Sequence, residues 1–216
     1  MNWSHFKSIP WIDSRAKFVS RAPQGGVLLD IGSSDGETLR HIAELRPDLR
    51  IRATDLGGVP SSYPEATDFA RGDVQREPLP WADGSIDVIT CMHLVEHLAD
   101  HTLLFNEIGR LLRKGGHVYF ETPHPKSLIM SSPPGPSAGT FTCNFLDDLT
   151  HTKIVTTGAL GHYAQQSGLT VVASGVSRNW LFAASYLFFM LAPPSRQKLT
   201  AWAHWVGWSA YLIAKK

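Results

Sequence analysis

The fold is decided by the stretch Val27-Leu-Leu-Asp-Ile-Gly-Ser-Ser-Asp-Gly36 and by Glu37-Thr-Leu-Arg-His-Ile-Ala-Glu-Leu45, which follows it. Val27–Ile31 is a short apolar run, a pattern typical of a central strand that is buried on both faces. After a turn rich in glycine and serine, apolar residues recur at helical spacing until Pro47 ends the helix. The sequence therefore predicts a strand, a turn and a helix as the first unit of an α/β domain.

The same alternation continues along the chain. Further predicted strands cover residues 50–54, 86–92, 118–121 and 169–174, and further predicted helices cover residues 100–112 and 157–167. Gly115 and Gly116 are predicted to stop the helix at 100–112. Strands alternating with helices indicate a doubly wound, mostly parallel sheet covered on both faces. A length of 216 residues suits a single domain, residues 1–216.

Composition narrows the class of protein. The net charge is +1 and no run of Lys or Arg stands out, so we expect no nucleic-acid partner. The two cysteines, Cys91 and Cys143, predict free thiols in an intracellular protein rather than a disulfide framework. The first residues lack the apolar core and cleavage site of a secretion signal, so we expect a cytoplasmic protein.

Several chemistries use a glycine turn between a strand and a helix. The dinucleotide pattern G-x-G-x-x-G fails here because Glu37 stands at its third glycine, and no Gly-Lys-Ser/Thr phosphate loop is present. The pattern G-x-S-x-G is present as Gly32-Ser-Ser34-Asp-Gly36, which would make Ser34 the nucleophile of a serine hydrolase. That nucleophile normally follows several strands, whereas Ser34 follows the first strand, but the alternative stays open.

Four segments stand together in the order and spacing of one family. They are Val27-Leu-Leu-Asp-Ile-Gly-Ser-Ser-Asp-Gly36, Arg52-Ala-Thr-Asp55, Arg71-Gly-Asp-Val74 with the strand after it, and Glu107-Ile-Gly-Arg-Leu-Leu-Arg-Lys-Gly-Gly116. On these segments the chain resembles class I S-adenosylmethionine-dependent methyltransferases, over about residues 25–125 and more loosely over 140–178. The resemblance implies a seven-stranded Rossmann-like sheet with an antiparallel last strand, and S-adenosylmethionine as cofactor.

The resemblance also implies a cofactor site. Its residues would be Asp30, Gly32, Ser34, Gly36, Asp55, Leu56, Asp73, Val74, Met92 and His97. Asp55 would hold the ribose hydroxyls, Asp73 the adenine amino group and Asp30 the methionine end. The departure from the family pattern is Ser34, where a second glycine is usual. A methyltransferase-like module that binds the cofactor without catalysis is a further alternative.

The acceptor side is predicted from histidines near strand ends and from a Pro-rich stretch. We expect residues 123–150 to form an acceptor or lid region, because loops of this composition connect elements. His151 is our first candidate for a general base, and His124 is the second. Asp147 and Asp148 could hold Mg²⁺. The region is similar to family members acting on sugars or glycans, so we expect O-methylation of a sugar, glycan intermediate or small hydroxylated metabolite.

The two ends of the chain carry their own predictions. Residues 1–24 are predicted to form an N-terminal helical cap, and residues 209–216 resemble the family's antiparallel last strand. Residues 180–205 are then an apolar helical insertion with few charges and too short to span a bilayer. This insertion could pack on its own domain, form a homodimer interface or make shallow membrane contact.

Overall fold

A computed structural model describes residues 3–131, 143–193 and 195–216 of the chain. Its strands are β1 (Val27–Ile31), β2 (Arg50–Asp55), β3 (Asp68–Arg71), β4 (Ile86–Met92), β5 (Leu112–Pro123), β6 (Thr170–Ser177) and β7 (Ser209–Lys215). They form one seven-stranded sheet in the order β3-β2-β1-β4-β5-β7-β6. Neighbours among β1 to β5 are parallel, whereas β7 is antiparallel to both β5 and β6. The predicted fold class is confirmed.

Helices cover both faces of this sheet. The described α-helices are α1 (Ser14–Val19), α2 (Glu37–Leu45), α3 (Thr102–Leu111), α4 (Thr157–Gln166), α5 (Trp180–Phe189) and α6 (Arg196–Val206). Two short 3-10 turns, Trp3–Phe6 and Pro10–Ile12, precede α1 in the segment predicted as an N-terminal cap. The pair α5 and α6 lies between β6 and β7, as the predicted C-terminal helical insertion requires.

The unbroken apolar run of β1 is explained by burial on both sides. Successive residues of a strand point to opposite faces of the sheet. Leu29 and Ile31 pack into a core cluster with residues of α3 and α4. Leu28 packs into the cluster on the other face, with residues of α1 and α2. Both faces of β1 are therefore covered, and its position between β2 and β4 places its carboxyl end near the middle of one edge of the sheet.

The structure corrects the end of α3. Helix α3 ends at Leu111, and β5 begins at the next residue, where Leu112 pairs with Ile86 of β4. Gly115 and Gly116, predicted to stop the helix, therefore lie within β5. Pairing with the neighbouring strand ends the helix earlier than the glycines would.

The α5–α6 insertion exposes an apolar outer face. Phe188 is 86% exposed and Leu191 is 96% exposed, although α5 and α6 pack against each other. Within the described residues, no helix is both long enough and apolar enough to cross a membrane. Residues 132–142 of the predicted lid region lie outside the described part of the chain.

Candidate active site

The turn between β1 and α2 is shaped by glycines in the left-handed region. Gly32 has φ +85° and donates its N–H to the Thr54 carbonyl at 2.9 Å. A Cβ at Gly32 would lie 3.2 Å from the Cβ of Leu94, and one at Gly36, where φ is +77°, would lie 2.4 Å from Tyr63 Cδ1. Glycine is required where backbone of positive φ meets a neighbour this closely. The turn thus offers a narrow backbone surface beside the segment that follows β4.

Asp30 is a buried carboxylate at the carboxyl end of β1. Its Oδ1 accepts a hydrogen bond of 2.6 Å from Thr90 Oγ1, and no described Lys, Arg or His forms an ion pair with it. Burial raises the pKa of Asp30 to about 6, an effect that the Thr90 hydrogen bond partly offsets. A buried carboxylate without a cation fits the ammonium group of a bound amino acid.

Asp55 is the terminal residue of β2, next to β1 in the sheet. Its Oδ2 accepts from the Ser34 N–H at 2.9 Å, and its Oδ1 accepts from the Gly57 N–H at 2.7 Å. Each carboxylate oxygen can accept a further hydrogen bond. The carboxylate is therefore fixed by the backbone yet can bind a pair of hydroxyl groups, and Leu56 beside it is 68% exposed.

Asp73 follows β3, the strand next to β2. Its Oδ1 accepts from the Gln75 N–H at 3.0 Å, and its Oδ2 lies 3.3 Å from Arg76 Nε. Gly72 donates its N–H to the Asp55 carbonyl at 3.3 Å, which holds the β3 turn beside the end of β2. Val74 is buried, and Met92, at the end of β4, is partly buried. Asp30, Asp55 and Asp73 thus lie at or just after the carboxyl ends of three adjacent parallel strands, at one edge of the sheet.

Ser34 is placed as part of this turn rather than as a nucleophile. It is exposed, has φ +47°, and its carbonyl accepts a hydrogen bond from the Tyr63 hydroxyl at 2.9 Å. No hydrogen bond between Ser34 Oγ and a histidine is present in the described residues. A serine hydrolase needs a base within hydrogen-bond reach of its nucleophile, so the geometry does not support that alternative.

Two of the predicted histidines, His97 and His151, lie together, with ring centroids 4.8 Å apart. His151 donates from Nδ1 to the Phe145 carbonyl at 2.7 Å and stacks on the Phe145 ring, with centroids 4.3 Å apart. His97 Nδ1 lies 2.9 Å from Thr150 Oγ1. The side chain of His151 is only 7% exposed. These contacts fix both rings near the segment after β4.

Among the other residues predicted on the acceptor side, Asp148 lies beside His151, whereas in the described part of the chain His124 does not contact that histidine. His124 Nδ1 accepts from the Lys126 N–H at 3.1 Å, and no ring contact or hydrogen bond links it to His151 in the described residues. Burial and the charge of Lys126 lower the pKa of His124. Asp148 accepts from the Thr150 hydroxyl at 2.6 Å and lies 3.8 Å from His151 Nε2. The magnesium site at Asp147 and Asp148 stays a prediction.

Sequence reasoning missed a buried carboxylate, Glu121, near the end of β5. It is fully buried and accepts hydrogen bonds from Arg15 of α1, Tyr119 and Ser177. A second Arg15 nitrogen, Nη2, donates to the other oxygen of Glu121. Burial alone would raise the pKa of Glu121, but the Arg15 guanidinium and His93 hold that pKa well below its usual range. The signal that could have identified Glu121 from the sequence is a charged residue within an otherwise apolar predicted strand.

His93 joins Glu121 to a second buried carboxylate, Glu96. Its Nε2 lies 3.3 Å from Glu121, its Nδ1 lies 3.1 Å from Glu96, and its ring stacks on Trp208. Burial lowers the pKa of His93, but hydrogen bonds with Glu121 and Glu96 outweigh it and raise the pKa to about 9. His93 also has φ +52°, a strained conformation for a residue other than glycine. Buried, paired charges therefore fix the segment that leads from β4 to His97.

The resemblance implies that Asp30 binds the ammonium group of S-adenosylmethionine, so we expect the burial of Asp30 to make cofactor affinity depend on pH. The pKa of Asp30 is raised to about 6, so at lower pH its carboxyl is protonated and loses its attraction for an ammonium group. The affinity for S-adenosylhomocysteine should therefore fall by up to about tenfold per pH unit below pH 6 and level off above pH 7. Calorimetric titration between pH 5 and 7 measures this change.

The Asp30→Asn variant is the matched control. It should bind S-adenosylhomocysteine more weakly, with an affinity that no longer changes over this pH range. Because the folded protein holds a proton on Asp30 that the unfolded chain loses near pH 4, stability should fall as the pH rises from 4 to 6. The variant should not show that loss of stability. A wild-type affinity that is flat from pH 5 to 7 would contradict the placement of Asp30 at the ammonium group.

The sheet order, the glycine turn and the row of acids together define a class of protein. An acid at or just after the carboxyl end of each of three adjacent strands, beside a turn of open backbone, fits the ribose, adenine and amino-acid parts of S-adenosylmethionine. The fold is that of the S-adenosylmethionine-dependent methyltransferases, and S-adenosylmethionine is the cofactor. A family model described as a methyltransferase domain matches residues 3–174, and the chain belongs to that family.

Individual relatives share less than a third of their aligned residues with this chain. The chain is 29% identical over 174 residues to the ubiquinone biosynthesis O-methyltransferase of Ralstonia nicotianae, a match covering 74% of this chain and 68% of that protein. The S-adenosylmethionine-dependent methyltransferase of Mesorhizobium loti is similar in structure, with a TM-score of 0.65, 18% identity and full coverage of both chains.

A third similar structure was solved with ligands. The geranyl diphosphate C-methyltransferase of Streptomyces coelicolor, in complex with Mg²⁺, geranyl diphosphate and S-adenosyl-L-homocysteine, has a TM-score of 0.60 and 12% identity. The match covers 92% of this chain and 76% of that one. At these identities the two solved structures support the fold, and the acceptor has to be inferred from the residues of this chain.

Proposed function

We propose that the protein is an O-methyltransferase whose acceptor is a small molecule carrying a phenolic hydroxyl. One observation carries the acceptor side of the proposal. His151 donates from Nδ1 to the Phe145 carbonyl, so its Nε2 lone pair is free to take a proton from a hydroxyl group. The class of acceptor is suggested by the relative of Ralstonia nicotianae, which acts in ubiquinone biosynthesis.

The residues of the chain would divide the work between binding and proton transfer. Asp30, Asp55 and Asp73 would hold the cofactor, which supplies an activated methyl group when bound. The turn at Gly32, beside Leu94, would bring the cofactor next to the segment that leads to His97. His151 Nε2 would take the hydroxyl proton as the acceptor oxygen bonds to the methyl carbon and the bond from that carbon to sulfur breaks. Alignment of the two reactants would supply most of the acceleration.

Aromatic side chains near the histidines support a ring-shaped acceptor. Phe145 stacks on His151, and Trp208 stacks on His93. Flat side chains of this kind pack favourably against aromatic rings. O-methylation of a sugar or glycan, predicted from the region around residues 123–150, is the competing acceptor class and is included in the same test.

A panel of acceptors tests the proposal. Phenols, catechols and free or nucleotide-linked sugars are each incubated with enzyme and S-adenosylmethionine, and release of S-adenosylhomocysteine is followed. We expect turnover with phenolic hydroxyls and none with sugars. If only sugars are methylated, the acceptor class is sugars and the proposal of a phenolic acceptor is wrong. Cofactor binding without transfer to any acceptor would favour the non-catalytic module.

The His151→Ala variant should separate chemistry from binding. Loss of a general base lowers kcat by about 10²–10⁴-fold, while the affinity for S-adenosylhomocysteine should be unchanged because His151 lies outside the row of acids. His162, exposed on α4, provides the matched control, and His162→Ala should behave like the wild type. Normal turnover by His151→Ala would end the role of His151 as a base, and His124 would be tested next.

Location and association stay predictions from the sequence. A cytoplasmic location with membrane contact, and a homodimer through the exposed apolar face of α5, are compatible with the fold. Sedimentation of the protein, alone and with vesicles, distinguishes these possibilities.

A further inference from the structure

We propose that Glu96, His97 and His151 bind one divalent transition-metal ion of the zinc class. One ligand atom from each of these residues lies within 4.8 Å of the others. The inference rests on the proposed function and deepens it, because the ion would bind the acceptor hydroxyl beside the cofactor. It differs from the predicted magnesium site at Asp147 and Asp148 in both its residues and its ion.

The first ligand, His151, is oriented by its other ring nitrogen. Nδ1 donates to the Phe145 carbonyl at 2.7 Å, and a carbonyl can only accept. Nδ1 therefore carries the ring proton, and Nε2 of the neutral ring has a free lone pair. A histidine that binds a metal is normally held in this way, with its second nitrogen donating to a carbonyl or carboxylate.

The second ligand, His97, is oriented through a hydroxyl and a carboxylate. Thr150 Oγ1 donates to Asp148 Oδ1 at 2.6 Å, so the lone pairs of that hydroxyl face other donors. His97 Nδ1 lies 2.9 Å from the same oxygen and is therefore the donor of that bond. His97 Nε2 is then the nitrogen left free, as it is in His151.

The third ligand, Glu96, has an oxygen in need of a partner. Glu96 is fully buried, and its Oε1 is 3.1 Å from His93 Nδ1. Its Oε2 makes no hydrogen bond to any described residue. A buried carboxylate oxygen without a partner is costly unless something binds it. Each of these three neighbouring side chains therefore has one lone pair without a partner. The three residues are Glu96, His97 and His151.

This set of ligands selects the ion. Two imidazoles and one carboxylate are typical of Zn²⁺ and other first-row transition ions, whereas Mg²⁺ prefers an octahedron of oxygens. Ligand atoms about 2.0–2.2 Å from a shared ion lie closer together than 4.8 Å. Small side-chain rotations would therefore close the site on the ion, leaving at least one coordination position open for a hydroxyl.

A bound ion would change the proton transfer. The acceptor hydroxyl would bind at the open position, and the ion would lower its pKa so that its proton is released to water. The resulting oxygen would bond to the methyl carbon while the bond from that carbon to sulfur breaks. His151 Nε2 would then be a ligand rather than the proton acceptor.

Metal titration tests the site independently of turnover. Tag-free protein, treated with a chelator and dialysed, is titrated with Zn²⁺ by calorimetry and with Co²⁺ by visible absorption. We expect one equivalent to bind, and His97→Ala and His151→Ala each to weaken binding by at least about tenfold. Thr150→Val removes only the hydroxyl that orients His97 and should weaken binding about tenfold. His162→Ala should bind like the wild type.

The outcomes separate this inference from the proposed function. If the wild type takes up no stoichiometric Zn²⁺ or Co²⁺, or if both histidine variants bind them unchanged, the metal site is overturned. S-adenosylhomocysteine is titrated in parallel without metal. Intact binding of that ligand leaves the proposed function standing when the metal site fails, whereas its loss removes the function.

Discussion

Replacement of Glu121 by alanine is expected to lower the free energy of unfolding by about 3–5 kcal/mol, the cost of removing one partner of a buried charge pair. Glu121 is fully buried and accepts hydrogen bonds from Arg15, Tyr119 and Ser177. Its removal leaves the Arg15 guanidinium without its carboxylate partner, and leaves the charged His93 ring with Glu96 alone. Urea denaturation followed by circular dichroism measures the change.

A double-mutant cycle assigns this effect to the charge pair. Arg15→Met and Glu121→Gln are each expected to destabilise the protein, and their combination should cost less than the sum of the two, since residues in contact are coupled. Glu37→Ala, at a carboxylate whose side chain is 65% exposed, should change stability by less than about 0.5 kcal/mol. Strict additivity in the cycle would show that Arg15 and Glu121 do not stabilise each other.

Part of the fold could be predicted because its signals are local. The bounds of β1, β4 and α2 match the sequence-based ones, since an unbroken apolar run or a helical repeat identifies each element by itself. The acids Asp30 and Asp55 could likewise be placed at strand ends. Parallel strands bring their carboxyl ends to one edge of the sheet, so the position of these side chains followed from the topology.

What could not be predicted depends on contacts distant in the sequence. Strand β3 has four residues, none of them buried, so its pattern carries no signal of a strand. The pairing of Arg15 with Glu121 joins residues 106 positions apart, and nothing local in either segment indicates the other. The sequence likewise drew attention to His97 and His151 but not to Glu96, whose burial and unpaired oxygen become evident only in the structure.

Replacement of Asp55 by alanine is expected to weaken binding of S-adenosylhomocysteine by about 10²–10⁴-fold. In the proposed site the variant would lose two hydrogen bonds from ribose hydroxyls to a charged acceptor, each worth about 1.5–3 kcal/mol. The carboxylate is already oriented by the N–H groups of Ser34 and Gly57, so it would bind the hydroxyls without first having to be ordered. Calorimetric titration measures the affinity.

A control variant and a measurement of folding show whether a loss of affinity in Asp55→Ala comes from the lost carboxylate or from a disturbed fold. Asp83→Ala removes a carboxylate from the loop before β4, at the opposite edge of the sheet, and should leave the affinity unchanged. Because Asp55 also orders the turn at Ser34, Asp55→Asn is measured beside it: its amide retains one oxygen as acceptor and should lose less affinity than alanine. If Asp55→Ala melts at the wild-type temperature and binds with wild-type affinity, the ribose does not lie at the end of β2. The assignment of Asp30 and Asp73 to the remaining parts of the cofactor would then fail with it, since all three positions are fixed by the same three adjacent strands.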